Sequence, residues 1–136
     1  MSPSTCPVFI EIPRGSFLKM EQHRGNWQIR FLSPLPCPFN YGTLPDTVGA
    51  DGEEEDAILL GPRKARGLYT EGSLLGYVRF VDQGEQDDKA LVSEHPIRRR
   101  ERLLLVAFFQ LYARVKALAR LDPCGAETRF DGLELL

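Results

Sequence analysis

Cysteine and histidine are scarce in this chain. Its three cysteines, Cys6, Cys37 and Cys124, are odd in number and form no CxxC pair, and its two histidines are not clustered. That combination suggests neither a disulfide framework nor a zinc site, and makes reduced thiols in a cytoplasm the expectation. Long apolar runs are also lacking. The longest, residues 103–109, is far short of the roughly 20 residues that span a bilayer. No basic segment followed by an apolar run opens the chain, so neither a signal peptide nor a membrane partner is read from it. Charge of one sign is missing too: 17 basic against 19 acidic residues leave a net charge of −2, which gives no general attraction to nucleic acid. No repeat is visible. With 136 residues, 43% of them hydrophobic, residues 1–136 read as a single domain with one real core, expected over about 8–121.

What the chain does have is two concentrated acidic segments. Asp51-Gly-Glu-Glu-Glu-Asp56 is answered about thirty residues later by Asp82-Gln-Gly-Glu-Gln-Asp87-Asp88-Lys89. Each spaces two aspartates five apart around a glycine. Crowded carboxylates repel, and water, basic partners or bound cations must offset their charge. Oxygen donors without His or Cys favour Mg2+, with Mn2+ also suited, and Mg2+ keeps several waters while leaning on substrate phosphates. Lys89 would then be a phosphate ligand. The plainer reading is a solvated acidic surface.

Read in order, residues 8–12 form a strand stopped by Pro13 and Gly15, with Glu11 either in a polar cavity or on the solvent face of an edge strand. Residues 17–22 and 27–32 alternate around the turn His23-Arg24-Gly25-Asn26 and predict a hairpin carrying Lys19, Glu21 and Arg30. Residues 33–49, with Pro34, Pro36, Pro38 and Pro45, predict a loop without regular ladders, holding Tyr41 beside Gly42. Short strands are expected at 57–60, 73–81 and 91–92, and residues 63–66 as a basic surface turn. Several short strands argue for a mainly β (α+β) fold built on a small barrel. From 97 to 121 the period changes. Leu104, Phe108, Leu111, Val115 and Leu118 recur at three and four, predicting one long amphipathic helix with Tyr112 on its core or rim and an apolar middle suited to a subunit contact. Residues 122–136 read as a loose C-terminal tail.

Taken together, Glu11 in its apolar strand, Lys19-Met-Glu21, Arg30-Phe, Asn40-Tyr41-Gly42, the two acidic segments and Phe108-Phe-Gln-Leu-Tyr112 closely resemble the soluble family I inorganic pyrophosphatases from about residue 8 to 112. The resemblance implies a five-stranded OB-like closed barrel with the helix packed against it. It implies Mg2+-dependent hydrolysis of pyrophosphate to two phosphates by a water activated between several metals. Asp51, Asp56 and Asp87 match the tight metal site, and Asp82 shares a second metal with Asp87. Glu11 and Glu21 match positions that complete the metal shell through water. Lys19, Arg30, Tyr41, Lys89 and Tyr112 match the phosphate ligands, and a homo-oligomer is implied as the assembly.

The chain departs from the family pattern in places. Glu53 stands where the family carries the aspartate regarded as accepting the water's proton, so the base is kept with its reach changed by about an ångström. Glu54 replaces a proline, and Ala113 follows Tyr112 where a phosphate-binding lysine is usual. The run Arg98-Arg99-Arg100-Glu101-Arg102 is either a basic rim compensating for Ala113 or a solvated helix start. Two alternatives stay open: a weakly active or inactive protein binding pyrophosphate or a nucleotide phosphate, and a hydrolase of another phosphoanhydride. Single-stranded nucleic acid is disfavoured, because it needs a positive groove with stacking aromatics.

Overall fold

The structure, a computed structural model, describes residues 5–16, 18–23, 26–32, 36–49, 52–119 and 127–136, with only the backbone described for 18–23, 27–32 and 119. In chain order the elements are β1 (Thr5–Ile12), β2 (Leu18–His23), β3 (Asn26–Leu32), β4 (Asn40–Leu44), β5 (Glu55–Leu59), β6 (Tyr69–Asp82), β7 (Glu85–Gln86), β8 (Lys89–Ser93), α1 (Arg99–Ala119) and β9 (Arg129–Leu135). Over the described residues the molecule is a mainly β α+β fold with one helix, as expected.

Its strands make a ring. β1 pairs with β4, β4 with β5, β5 with β8 in parallel, β8 with β6, and β6 returns to β1. One strand can serve four neighbours, β1, β7, β8 and β9, because β6 is 14 residues long and carries a register shift between Leu74 and Gly76. A Cβ at Gly76 would stand 2.1 Å from the Glu134 carbonyl oxygen, so only glycine admits β9 alongside. The hairpin β2–β3 forms a separate two-stranded sheet, over the residues whose alternation predicts it.

Apolar side chains divide between two clusters. One holds Val8, Ile10, Leu44, Ala57, Leu59, Ala90 and Val92. The other gathers Ile12, Phe39, Ile58, Val78, Phe80 and Leu91 beneath Leu105, Phe109 and Ala113 of α1. Leu105, Phe109 and Ala113 are four apart, one stripe of a helix, and this stripe fastens α1 to the ring. The helix starts at Arg99, two residues later than its periodicity indicates, where Glu101 Oε1 accepts a 3.0 Å hydrogen bond from the Arg98 N–H. An acceptor three residues inside the first turn satisfies a backbone donor that has no partner within the helix.

Three expectations are corrected. Residues 33–49 are not all irregular: after Pro38 the backbone is free of proline until Pro45, and Asn40-Tyr-Gly-Thr-Leu44 forms β4, alternately buried and half-buried. Residues 127–136 are not a loose tail, because β9 pairs with β6 over Gly76–Val81, and Phe130, Leu133 and Leu135 pack against the helix-covered cluster. Residues 63–66 are not wholly surface, since half-buried Arg66 donates from Nε to the Glu11 carbonyl at 3.0 Å. Asn40, fully buried, ties these connections together. Its Oδ1 accepts from the backbone N–H of Arg14 and Lys64, and its Nδ2 donates to the Pro62 carbonyl.

Candidate active site

Sheet register brings the second acidic segment to the first. Asp56 on β5 lies in register with Lys89 on β8, so these side chains meet across a parallel pair. Lys89 Nζ stands 2.9 Å from Asp87 Oδ2 and 3.6 Å from Asp56 Oδ2. It also lies 5.3 Å from the Phe80 ring centroid and 5.9 Å from that of Tyr41. Lys89 is only 3% exposed. A charge so far from water is tolerable only when paired and hydrogen-bonded, and the two aspartates meet that need.

Between β6 and β7 the chain turns on Gln83 and Gly84, both at positive φ, the pairing of a tight two-residue hairpin. The turn sets Asp82 opposite Glu85, and beyond it Asp87 and Asp88 take different partners. Asp87 faces Lys89. Asp88 faces away, accepting from the Phe80 N–H at 3.0 Å, from Arg79 at 2.7 Å and from Gln86 at 2.6 Å.

The helix closes the arrangement from above. Tyr112 stacks on Phe108, with centroids 5.6 Å apart, and lies 6.0 Å from Phe80. Lys116, one turn further on, places Nζ 2.6 Å from Asp82 Oδ2 and 5.3 Å from the Tyr112 ring centroid. Thr128, just before β9, donates to Asp82 Oδ1 at 3.3 Å. Three carboxylates, two ammonium groups and two phenols thus come together at one end of the ring.

Electrostatics follow from this packing. Burial pushes the Asp87 carboxyl up, but the Lys89 charge and hydrogen bond, a hydrogen bond with Asp56 and the Lys116 charge together hold it below its ordinary value. Tyr41 is held well above the ordinary phenol range by burial first, then by the charges of Asp56 and Asp87 and a hydrogen bond to Asp56. It is therefore a neutral donor at neutral pH. Cys37, buried, is pushed up to about 11, which leaves it an unreactive core thiol.

The donor set fits a hard divalent cation. Among the described residues, no group of three or more His, Cys, Asp or Glu side chains forms a ready metal cage. Mg2+ rarely asks for one, since it binds through one or two carboxylates and completes its shell with water and phosphate. Asp56 and Asp87 share the Lys89 ammonium, and Lys116 stands on Asp82. Positive charge is what this cluster calls for. Asp56, Asp87 and Asp82 are the described residues that would hold it.

The model of the inorganic pyrophosphatase family matches residues 8–115. The chain belongs to this family. It is 39% identical over 87 residues to an inorganic pyrophosphatase of Haemophilus influenzae, covering 60% of this chain and 49% of the relative. To that of Gluconobacter oxydans it is 34% identical over 98 residues, covering 68% and 57%. The chain thus spans about half the length of these curated relatives. Among solved structures, an inorganic pyrophosphatase from Neisseria gonorrhoeae superposes with a TM-score of 0.75 at 27% identity, covering 95% of this chain and 81% of that one. The Helicobacter pylori inorganic pyrophosphatase gives 0.78 at 22%, covering 99% and 89%.

Of the family positions read from the sequence, the structure brings together Tyr41, Asp56, Asp82, Asp87, Lys89 and Tyr112. Glu11 is 5% exposed, next to a bulge between Ile10 and Ile12 where β1 meets Gly42 and Tyr41. A solvent-face position for it is thereby excluded. Glu53 is exposed on the turn before β5, where its carbonyl accepts from the Gly49 N–H at 2.6 Å. Asp51, and the side chains of Lys19, Glu21 and Arg30, lie outside the described residues. Ala113 is 6% exposed within the core cluster, so that position faces the interior. The basic run does not compensate for it. Arg98 and Arg100 are exposed and border a groove with Arg14, Gly61, Pro62 and His95, at the far end of the helix. Lys116 is the site residue that sequence reasoning missed, although its spacing of four from Tyr112 is the signal that finds it.

Proposed function

We propose that the protein hydrolyses inorganic pyrophosphate to two phosphates with Mg2+ as its cofactor. One observation carries the reading: the Asp56–Asp87–Lys89 cluster, with Asp82, Tyr41 and Tyr112 around it, lies in a chain whose residues 8–115 match the pyrophosphatase family. Bound divalent cations supply acidity to water and neutralise phosphate charge in such sites. This chain's own residues do the rest. Asp51, Asp56 and Asp87 hold the tighter cation position, Asp82 with Asp87 the second, and Glu11 and Glu21 act through water. Lys89, Lys19 and Arg30 offset charge that spreads over the phosphoryl oxygens in a loose transition state. Tyr41 and Tyr112 donate hydrogen bonds to phosphate, and Glu53 accepts the proton of the attacking water. Mn2+ replaces Mg2+ with the same donors.

We further read the strand ring as an OB-like closed barrel and residues 1–136 as one cytoplasmic domain that assembles with copies of itself. Among the described residues no helix is long and apolar enough to cross a membrane. Leu103, Leu104, Leu111 and Leu118 stand exposed on α1, in keeping with a subunit contact. The relatives named above are all called inorganic pyrophosphatases, which favours hydrolysis over mere binding.

The test is phosphate release from pyrophosphate by purified protein with Mg2+, with EDTA and Asp87→Ala as controls. Release that requires both the cation and Asp87 supports the reading. No release above the controls from folded protein overturns it.

A further inference from the structure

Lys116 has no role in the reading above, yet it is the best-placed cation on the helix side of the site. Its Nζ lies 2.6 Å from Asp82 Oδ2, with side-chain exposures of 15% for the lysine and 20% for the aspartate. The other Asp82 oxygen accepts from Thr128. The Tyr112 ring centroid is 5.3 Å from the same Nζ. Lys116 is four residues from Tyr112 and three from Ala113, so it neighbours each of them on the helix surface. With Ala113 turned into the core, positive charge reaches the site from the next turn.

We infer that Lys116 is a tethered cation occupying Asp82, and that it sets how readily a divalent cation takes that carboxylate. An ammonium and a metal ion compete for one carboxylate oxygen, and at short range they repel each other. Both effects act in one direction: the lysine weakens the second cation position. The helix holds its competitor at a fixed address, so the local ammonium concentration at Asp82 stays high whatever the solution contains. The protein would therefore engage its second cation only at raised divalent concentration. Lys116 is a positioning residue here, not a catalytic one. This inference rests on Asp82 being a cation ligand, as proposed above.

The experiment is Mn2+ titration by calorimetry, without substrate, on wild type, Lys116→Met and Lys116→Arg. Methionine keeps the apolar stem and removes the charge, while arginine keeps the charge. Lys116→Met should tighten the weaker Mn2+ site about tenfold, from removal of one charge contact at partial exposure. Lys116→Arg should stay within about twofold of wild type. In an Asp82→Asn background, Lys116→Met should change Mn2+ affinity little, because the coupling partner is gone. A merely structural lysine predicts the opposite sign, a weaker site once Asp82 is left unsupported. Unchanged or weakened Mn2+ binding in folded Lys116→Met overturns the inference and leaves the proposed hydrolysis standing. Absence of any Mn2+ binding by wild type overturns both.

Discussion

The two ends of α1 carry positive charge in opposite ways. At its start, four arginines crowd residues 98–102, all exposed, beside a groove that Arg14 and His95 share. Near its end a single lysine, Lys116, sits 2.6 Å from Asp82 and 5.3 Å from the Tyr112 ring centroid. From Arg100 to Lys116 the helix advances about 24 Å at roughly 1.5 Å per residue, more than two Debye lengths at ordinary salt. Charge density along the chain is therefore a poor guide to charge at the site. Helix periodicity decides which cation reaches the carboxylates.

The largest test of that contrast is at the acidic end. Asp87→Asn keeps the size of the side chain, but it removes the charge that pairs with Lys89 and that would hold a cation. Phosphate release should fall by about a thousandfold or more, on the scale of losing a principal electrostatic element. A folded variant retaining a tenth of wild-type turnover would show that the chemistry lies elsewhere.

A smaller effect, and one in the other direction, is expected at Glu53. It is exposed on the turn before β5, and in its proposed role as proton acceptor its carboxylate stands one methylene farther from the backbone than an aspartate's would. Glu53→Asp should raise kcat by about tenfold with little change in KM, because small misplacements of a reacting group are costly when alignment governs the rate. A fall in kcat would mean that this turn has adapted to the longer acid.

Much of this was readable in the chain, for local reasons. The β2–β3 hairpin announces itself by strict alternation around a glycine turn, and α1 by its period. Asp56, Asp87 and Lys89 are found because two spaced acidic segments stand out against ordinary composition. Three features resist such reading, each because its cause is not local. β4 hides among prolines, and only its two sheet partners reveal it as a strand. β9, Arg-Phe-Asp-Gly-Leu-Glu-Leu, carries Gly132 in its middle and breaks strict apolar alternation between Phe130 and Leu133, and is ordered by its pairing with β6. Lys116 looks like any lysine in the last turns of an amphipathic helix until the β6–β7 turn delivers Asp82 beneath it.

The neighbours Asp87 and Asp88 sharpen the contrast at intermediate size. Asp88 belongs to the scaffold, where burial works against its charge but the Phe80 N–H, Arg79 and Gln86 together hold its carboxyl below the ordinary value. A carboxylate with a depressed folded value stabilises the protein above its unfolded value near 3.8, and that contribution is lost as pH falls through the lowered one. Asp88→Asn should therefore cost about 1–2 kcal/mol at pH 7, the scale of hydrogen bonds to a charged group. The difference should shrink as pH falls below 3.8, while turnover stays within a few-fold of wild type. Urea unfolding at the two pH values measures the first and phosphate release the second. A thousandfold loss of turnover would put Asp88 in the site.

The smallest effect belongs to the arginine end. Arg99 and Arg100 are exposed, and nothing in the geometry links them to Asp82 or Asp87. If local charge density mattered, replacing both should weaken substrate binding, since each arginine would steer pyrophosphate toward the protein. If address on the helix matters, Arg99→Ala with Arg100→Ala should leave kcat and KM within about twofold, with stability changed by no more than about 0.5 kcal/mol. Residual long-range steering would appear only as a KM effect at low ionic strength, and salt near 0.15 M would erase it. A KM that rises tenfold in the double variant and stays raised at that salt would place substrate within direct reach of residues 99 and 100. That would reverse the assignment of the two helix ends.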